Sequence, residues 1–371
     1  MKIRSLASLG ALMAAIVVGL SQVPAAGQAG GAATAPAGKY KVPRTSWGHP
    51  DLQGVWNNTV STPLERPKRF KDKQYLTDEE LAAYTNERQG SRESRDSRKQ
   101  AEGTVTDLTR AYNALWFPVP EAPIRRTSLI SDPPDGRVPA FTPEAIKRAE
   151  RSAAAIGATG STANPLGRPE GVEDGTEGGV DGRGGRADNP EDRDLGDRCL
   201  TDELPRMPGG YNNHLQIVQN QDYVQIQIEM RPHVRTIPLD GRPHLPKGIR
   251  LWYGDSRGHW EGDTLVIDTT NFSEESNFKG ASENLHLVER ITRVDANTIS
   301  YQATMTDPTT WVRPWTVEFP WRALNSMVGG IDGVEVAQMF EYACHEGNYA
   351  MENLLKGQRR LDRTRSNSAK R

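Results

Sequence analysis

From His214 to Trp321 the chain runs in short stretches of alternating apolar and polar side chains, separated by turn residues. Over 223–230, Val224, Ile226, Ile228 and Met230 share one face, and Gln225, Gln227 and Glu229 share the other. A period of two marks a strand with one buried side. The same pattern predicts strands over 215–219, 234–238, 249–253, 259–261, 264–269, 285–294, 298–305, 315–321 and 336–344. Asn220-Gln221-Asp222, Glu261-Gly262-Asp263 and Asp295-Ala296-Asn297 are hairpin connections between them. The expected fold is mainly β: an antiparallel barrel-like or strongly curled meander with peripheral helices and long loops. Closure of such a meander removes unpaired edges.

Helical signals are few. Thr77 caps a charge-dense helix over 78–98 that opens on Asp78, Glu79 and Glu80. Pro143 stands at the first position of a second short helix. A third follows Asn348, with Met351, Leu354 and Leu355 as its apolar stripe, and 361–371 reads as a basic frayed tail. Residues 157–198 are Gly, Asp, Arg, Glu and Pro with almost no apolar side chains, so they cannot offset the entropy of ordering and read as a surface loop insert. A phosphate role for the Gly-rich run at 182–186 lacks the helix that would complete it.

Residues 1–29 carry Lys2 and Arg4, an apolar run over 6–20 and small residues at Ala25, Ala26 and Ala29. That is the pattern of a cleaved secretory signal peptide. It predicts an exported protein, periplasmic or extracellular, with no stable membrane insertion after cleavage. An Ala/Gly/Pro linker over 30–42 precedes one β-rich domain over 43–360. Of 371 residues, 46 are basic and 48 acidic, for a net charge of -2. So balanced a chain offers no general reason to bind nucleic acid. The two cysteines, Cys199 and Cys344, are expected to form a disulfide in an oxidising compartment.

Several constellations carry candidate chemistry. The 285–305 hairpin places Leu287, Glu289 and Ile291 opposite Met305, Ala303 and Tyr301, so Glu289 falls on the apolar face. A carboxylate there is either a general acid or base in a cavity or half of a buried ion pair with Arg293 or Arg235. His286 falls on the other face. His345 and Glu346 follow Cys344, and the Tyr211-Asn212-Asn213-His214 cluster approaches them if the disulfide forms. Trp260, Trp315, Tyr211, Asn212 and Arg235 are the candidate ligand contacts. His233, His244 and His259, near Asp240, Asp255 and Glu261, contain ligands suited to zinc or iron, but at no diagnostic spacing. No cofactor is predicted from them. Asp255, Ser256 and His259 lie too close along one segment to converge as a hydrolase triad.

Asp51-Leu52-Gln53-Gly54-Val55-Trp56 resembles the opening of lipocalin-type barrels, in which the Trp packs across the barrel end. Residues 237–244, Gly254-Asp255-Ser256-Arg257-Gly258, Trp260-Glu261-Gly262-Asp263-Thr264-Leu265 and Glu341-Tyr342-Ala343-Cys344-His345-Glu346-Gly347-Asn348-Tyr349 resemble a family of exported bacterial proteins. The likeness spans most of 45–360 and implies export and a single large domain, with no activity attached. The expectation is a hollow barrel that binds a small, partly apolar or aromatic ligand, with acid–base chemistry of hydrolase or lyase type. A non-catalytic carrier and an envelope docking protein are the alternatives.

Overall fold

The alternation closes into a wall. A computed structural model describes residues 40–96, 123–155, 188–193, 195–201, 203–209, 212–231, 233–324, 339–347 and 349–369. The segment read as a signal peptide, and most of those read as linker and insert, lie outside them.

Ten strands form one antiparallel sheet: β1 (Gly54–Asn57), β2 (Ile130–Asp132), β3 (His214–Gln219), β4 (Tyr223–Ile228), β5 (His233–Pro238), β6 (Asp255–Glu261), β7 (Thr264–Thr270), β8 (His286–Asp295), β9 (Thr298–Thr306) and β10 (Trp315–Ala323). Nine follow the order β5-β4-β3-β1-β10-β9-β8-β7-β6, and β2 pairs with β10 off that path. β1 takes Arg322 and Ala323 of β10, and β2 takes Thr316 and Val317. The helices are α1 (Asp78–Asp96), α2 (Pro143–Ala155) and α3 (Tyr349–Ala369).

The result is a nearly closed nine-strand barrel. Its two end strands, β5 and β6, lie side by side without a backbone ladder among the described residues. Side chains join them instead: Arg235 on β5 donates to Ser256 on β6. Gly258 makes this approach possible, because a Cβ there would stand 2.8 Å from both Ile237 Cγ2 and Leu239 Cδ2. That is the positional meaning of a glycine inside a strand.

Burial follows the alternation. In β10, Trp315, Val317, Phe319, Trp321 and Ala323 are buried, and the residues between them are half-exposed. Trp56 of β1 is buried, and its Nε1 donates to the Leu52 carbonyl at 3.0 Å. Tyr301 stacks on Trp321 with ring centroids 4.5 Å apart, and Trp311 meets Trp315 edge-on at 5.4 Å. Aromatic side chains this large, about 150–250 Å² each, dominate the burial of such a core.

Three expectations change. The segment over 249–253 is a turn, with a single bridge from Leu251 to Phe272, because its amides close turns: Ile249 N–H donates to the Pro246 carbonyl and Gly254 N–H to the Leu251 carbonyl. Residues 339–343 are irregular, and the rest of that predicted strand lies outside the described residues. The C-terminal tail does not fray at 361 but continues as helix to Ala369. Lys356 pairs with Glu352 one turn back along that helix.

Candidate functional site

The hairpin register is as expected: Leu287, Glu289 and Ile291 face Met305, Ala303 and Tyr301. Glu289 is 2% exposed and points into the barrel. Its Oε2 lies 2.5 Å from Arg235 Nη2, and its Oε1 accepts from the Tyr301 hydroxyl at 2.9 Å. The pairing with Arg235 is ionic rather than well aligned, since Oε2 accepts no directed hydrogen bond. Arg235 also donates to Ser256 Oγ at 2.8 Å and Thr269 Oγ1 at 2.7 Å. Burial first, and then the Glu289 charge, raises the Tyr301 hydroxyl well above the usual phenol range. Of the two readings of Glu289, the geometry is that of the buried ion pair.

The remaining sequence candidates do not gather. His214 Nδ1 pairs with Glu229 at 2.8 Å. Cys199 and Cys344 are bonded, with Cα atoms 5.7 Å apart, yet His345 and Glu346 are exposed and make no hydrogen bond to His214 or Glu289. Asn212 has a left-handed backbone and offers its carbonyl to Arg206. Tyr211 lies outside the described residues. Trp315 is core, stacked on Phe278. Trp260 is half-buried beside His49, with a buried Nε1 that has no partner among the described residues. Trp315, Trp321, Phe319, Tyr301 and Met305 occupy the space where the sequence pattern places a ligand hollow. An opening of about 320 Å³ lies at the barrel end between Gly54, Trp56, Arg293 and Ala323. A second cavity of about 40 Å³ sits against Leu204, Phe272 and Phe278.

The outer wall holds a different array. On β6 and β7, Arg257 and Asp268 are direct cross-strand partners. On β8, His286 stands two residues from Val288, the partner of Asp268. Strand geometry therefore puts Asp268 and His286 diagonally on one face, within reach of long side chains. His286 Nε2 lies 2.7 Å from Asp268 Oδ2, and His244 Nε2 lies 2.9 Å from Asp268 Oδ1. The other nitrogen of His244, Nδ1, lies 3.0 Å from Asp255 Oδ2. One carboxylate thus bridges two imidazoles, and a second stands behind one of them.

His244 is brought over this face by the loop before β6, and the loop is tied on both sides of it. Arg257 Nε donates to the Pro243 carbonyl at 3.1 Å, and Asn271 Nδ2 donates to the Leu245 carbonyl at 2.7 Å. Asp255 is held in place: it also accepts from the Leu245 N–H and from Arg257 Nη1. Its side chain is 5% exposed, against 28% for His244, 37% for Asp268 and 43% for His286. The hydrogen bond from His286 holds the Asp268 carboxyl below its usual range, and the same bond raises His286. His286 Nδ1 has no partner among the described residues.

His244 and Asp255 were among the residues singled out for metal chemistry. Asp268 and His286 were not. His233 instead stacks on Tyr253, His259 pairs with Glu261, and Asp240 pairs with Arg242. The signal for the array is the register of β7 on β8: Asp268 takes Val288, which sets the outward His286 diagonally beside it.

No protein-family model and no curated protein matches the chain. Two solved structures do, the fluorescent protein UnaG and a point mutant of it. Each is 15% identical with a TM-score of 0.19, covering 29% of this chain and 69–70% of the other. The barrel described above rests on its own strand pairing.

Proposed function

We propose that this protein is an exported small-molecule-binding barrel whose reactive face is the outer wall at His244, Asp255, Asp268 and His286. The reaction class that suits the array is acid–base chemistry of hydrolase or lyase type. The observation that carries the reading is Asp268, which sets one oxygen against each imidazole on a half-exposed surface. Positioned imidazole–carboxylate pairs are the usual means of holding and moving a proton at a reacting group. In this reading Asp255 and Asp268 orient the two rings. His286, with Nδ1 turned to solvent, is the group that meets a substrate.

A second reading has its own observation. The barrel end has an opening of about 320 Å³, and Arg293 lies over the Trp56 ring at 5.4 Å beside it. A carrier would hold an aromatic or anionic ligand there, without catalysis. The two readings separate in a fragment screen followed by amide chemical shifts. The first expects hits to perturb the backbone of 244–245, 255–257, 268–270 and 285–288. Hits confined to 53–56 and 293–296 would assign the protein to the carrier class and remove the outer-wall reading.

A further inference from the structure

We infer that α3 (Tyr349–Ala369) docks the protein on an anionic lipid bilayer, lying in the headgroup layer with Met351, Leu354, Leu355 and Leu361 turned to the acyl chains. Lipid binding here needs neither the outer wall nor the barrel end.

The three helices differ in what they bury. α1 buries Tyr84, edge-on to Phe70. α2 buries Ala145 and Ala149, and its Arg148 donates to the Gly280 carbonyl and to Thr310 Oγ1. Among the described side chains of α3, none is buried. Leu354 is 39% exposed and Leu361 55%. The helix does not lack an apolar stripe. At 3.6 residues per turn, Met351, Leu354, Leu355 and Leu361 fall within an arc of about 120°. A stripe of that width ordinarily faces a core. Gln358 and Asp362 interrupt it and hydrogen-bond each other at 3.1 Å.

Charge says what covers the stripe. Lys356, Arg359, Arg360 and Arg363 fall within an arc of about 100° on the other side of the helix. Lys356 pairs with Glu352, while Arg359, Arg360 and Arg363 form no ion pair among the described residues. The whole chain carries a net charge of -2, so this basic helix stands on an otherwise acidic molecule. An exposed apolar stripe backed by a basic face fits acyl chains beneath anionic headgroups. Long Arg and Lys stems can reach back to that layer while the stripe sinks below it. No helix among the described residues is long and apolar enough to cross a membrane, so α3 would lie on the bilayer rather than through it.

A second copy of the chain is a poorer match. Paired helices need apolar residues at both seam positions over several heptads. One and two heptads after Met351 the chain has Gln358 and Arg365. The helix also has no need to pack in order to stay attached, because Cys344, shortly before it, is bonded to Cys199.

The test is hydrogen–deuterium exchange of the 349–369 amides in the full chain. It is measured alone, with phosphatidylcholine vesicles, and with vesicles that mix phosphatidylcholine and phosphatidylglycerol. The expected result is slowed exchange with the anionic vesicles and no change with the neutral ones. The slowing should be lost at about 1 M salt, where charges are screened within about 3 Å. The lipid concentration for half-maximal protection should rise roughly tenfold or more in Arg359→Gln with Arg363→Gln. Leu354→Gln with Leu361→Gln should raise it by a similar order. Gln is close to Leu and Arg in helix propensity, and circular dichroism checks that the helix persists. Val312→Gln, a change at a residue 61% exposed outside the helix, should behave as the parent does. No protection by anionic vesicles, equal protection by neutral ones, or protection unchanged in both paired variants overturns the inference. So does a dimer in solution that Leu354→Gln with Leu361→Gln dissolves, which would assign the stripe to a second copy.

Discussion

Arg235 meets Glu289 at 2.5 Å inside the barrel, from strands that are not neighbours in the sheet. Both side chains are nearly inaccessible, 5% and 3% exposed. Removing one partner of such a pair strands the other charge, so Glu289→Ala is expected to cost about 3–5 kcal/mol in urea denaturation. Arg235→Met combined with Glu289→Leu should be more stable than either single change. Tyr301 would still lose its acceptor, so full recovery is not expected. A double variant no better than the singles would show that the pair is not the unit.

The seam between β5 and β6 depends on Gly258 having no side chain. Gly258→Ala forces a methyl group into Ile237 and Leu239, which have packed neighbours of their own. Overpacking of this kind costs about 1–3 kcal/mol. The thermal midpoint of Gly258→Ala should fall, while Gly262→Ala meets no atom within 4 Å and tests only its left-handed turn.

His233 lies flat on Tyr253, 4.1 Å between ring centroids, and burial followed by the nearby Arg235 charge lowers its pKa. The unfolded chain therefore takes up this proton first, near pH 6.5. Stability from this group is complete above that pH. It declines as pH falls from there towards the folded-state value, and then levels off. Denaturation midpoints compared at about pH 7.5 and about pH 5.5 should show a drop that His233→Gln reduces. An unchanged drop would assign it to other groups.

The Cys199–Cys344 bond closes a separation of 145 residues. Chain-entropy reasoning gives up to about 5 kcal/mol for a loop of that length, and measured values usually run about 2–4. Reduction, or Cys199→Ala with Cys344→Ala, should lower the denaturation midpoint by that order. A smaller effect would mean that the joined segments hold to the barrel by other contacts.

The barrel and the Leu287–Glu289–Ile291 register were legible because alternation is a local signal and a register slip would turn every inward side chain outward. The array at Asp268 was not. Its four residues come from one loop and three strands, at intervals that match no motif; the register of β7 on β8 joins Asp268 to His286, and the tied loop before β6 brings His244 to them. The pattern also points inward, to a hollow, whereas His286 lies on the outward face. The strand β6 begins at Asp255 rather than His259, so residues that read as a loop are wall positions. Trp315 and Trp321 illustrate a further limit. Their inward direction is fixed by period, but whether large rings line a void or fill it depends on the curvature of the sheet.

The missing ladder beside Gly258 has a mechanical meaning. Every other line around the ring is stitched by amide-to-carbonyl bonds, so opening the wall there breaks only side-chain contacts. Slow breathing of the molecule should start along this line, and deuterium should enter the amides of 233–238 and 255–261 that face it before it enters those of β8, β9 and β10.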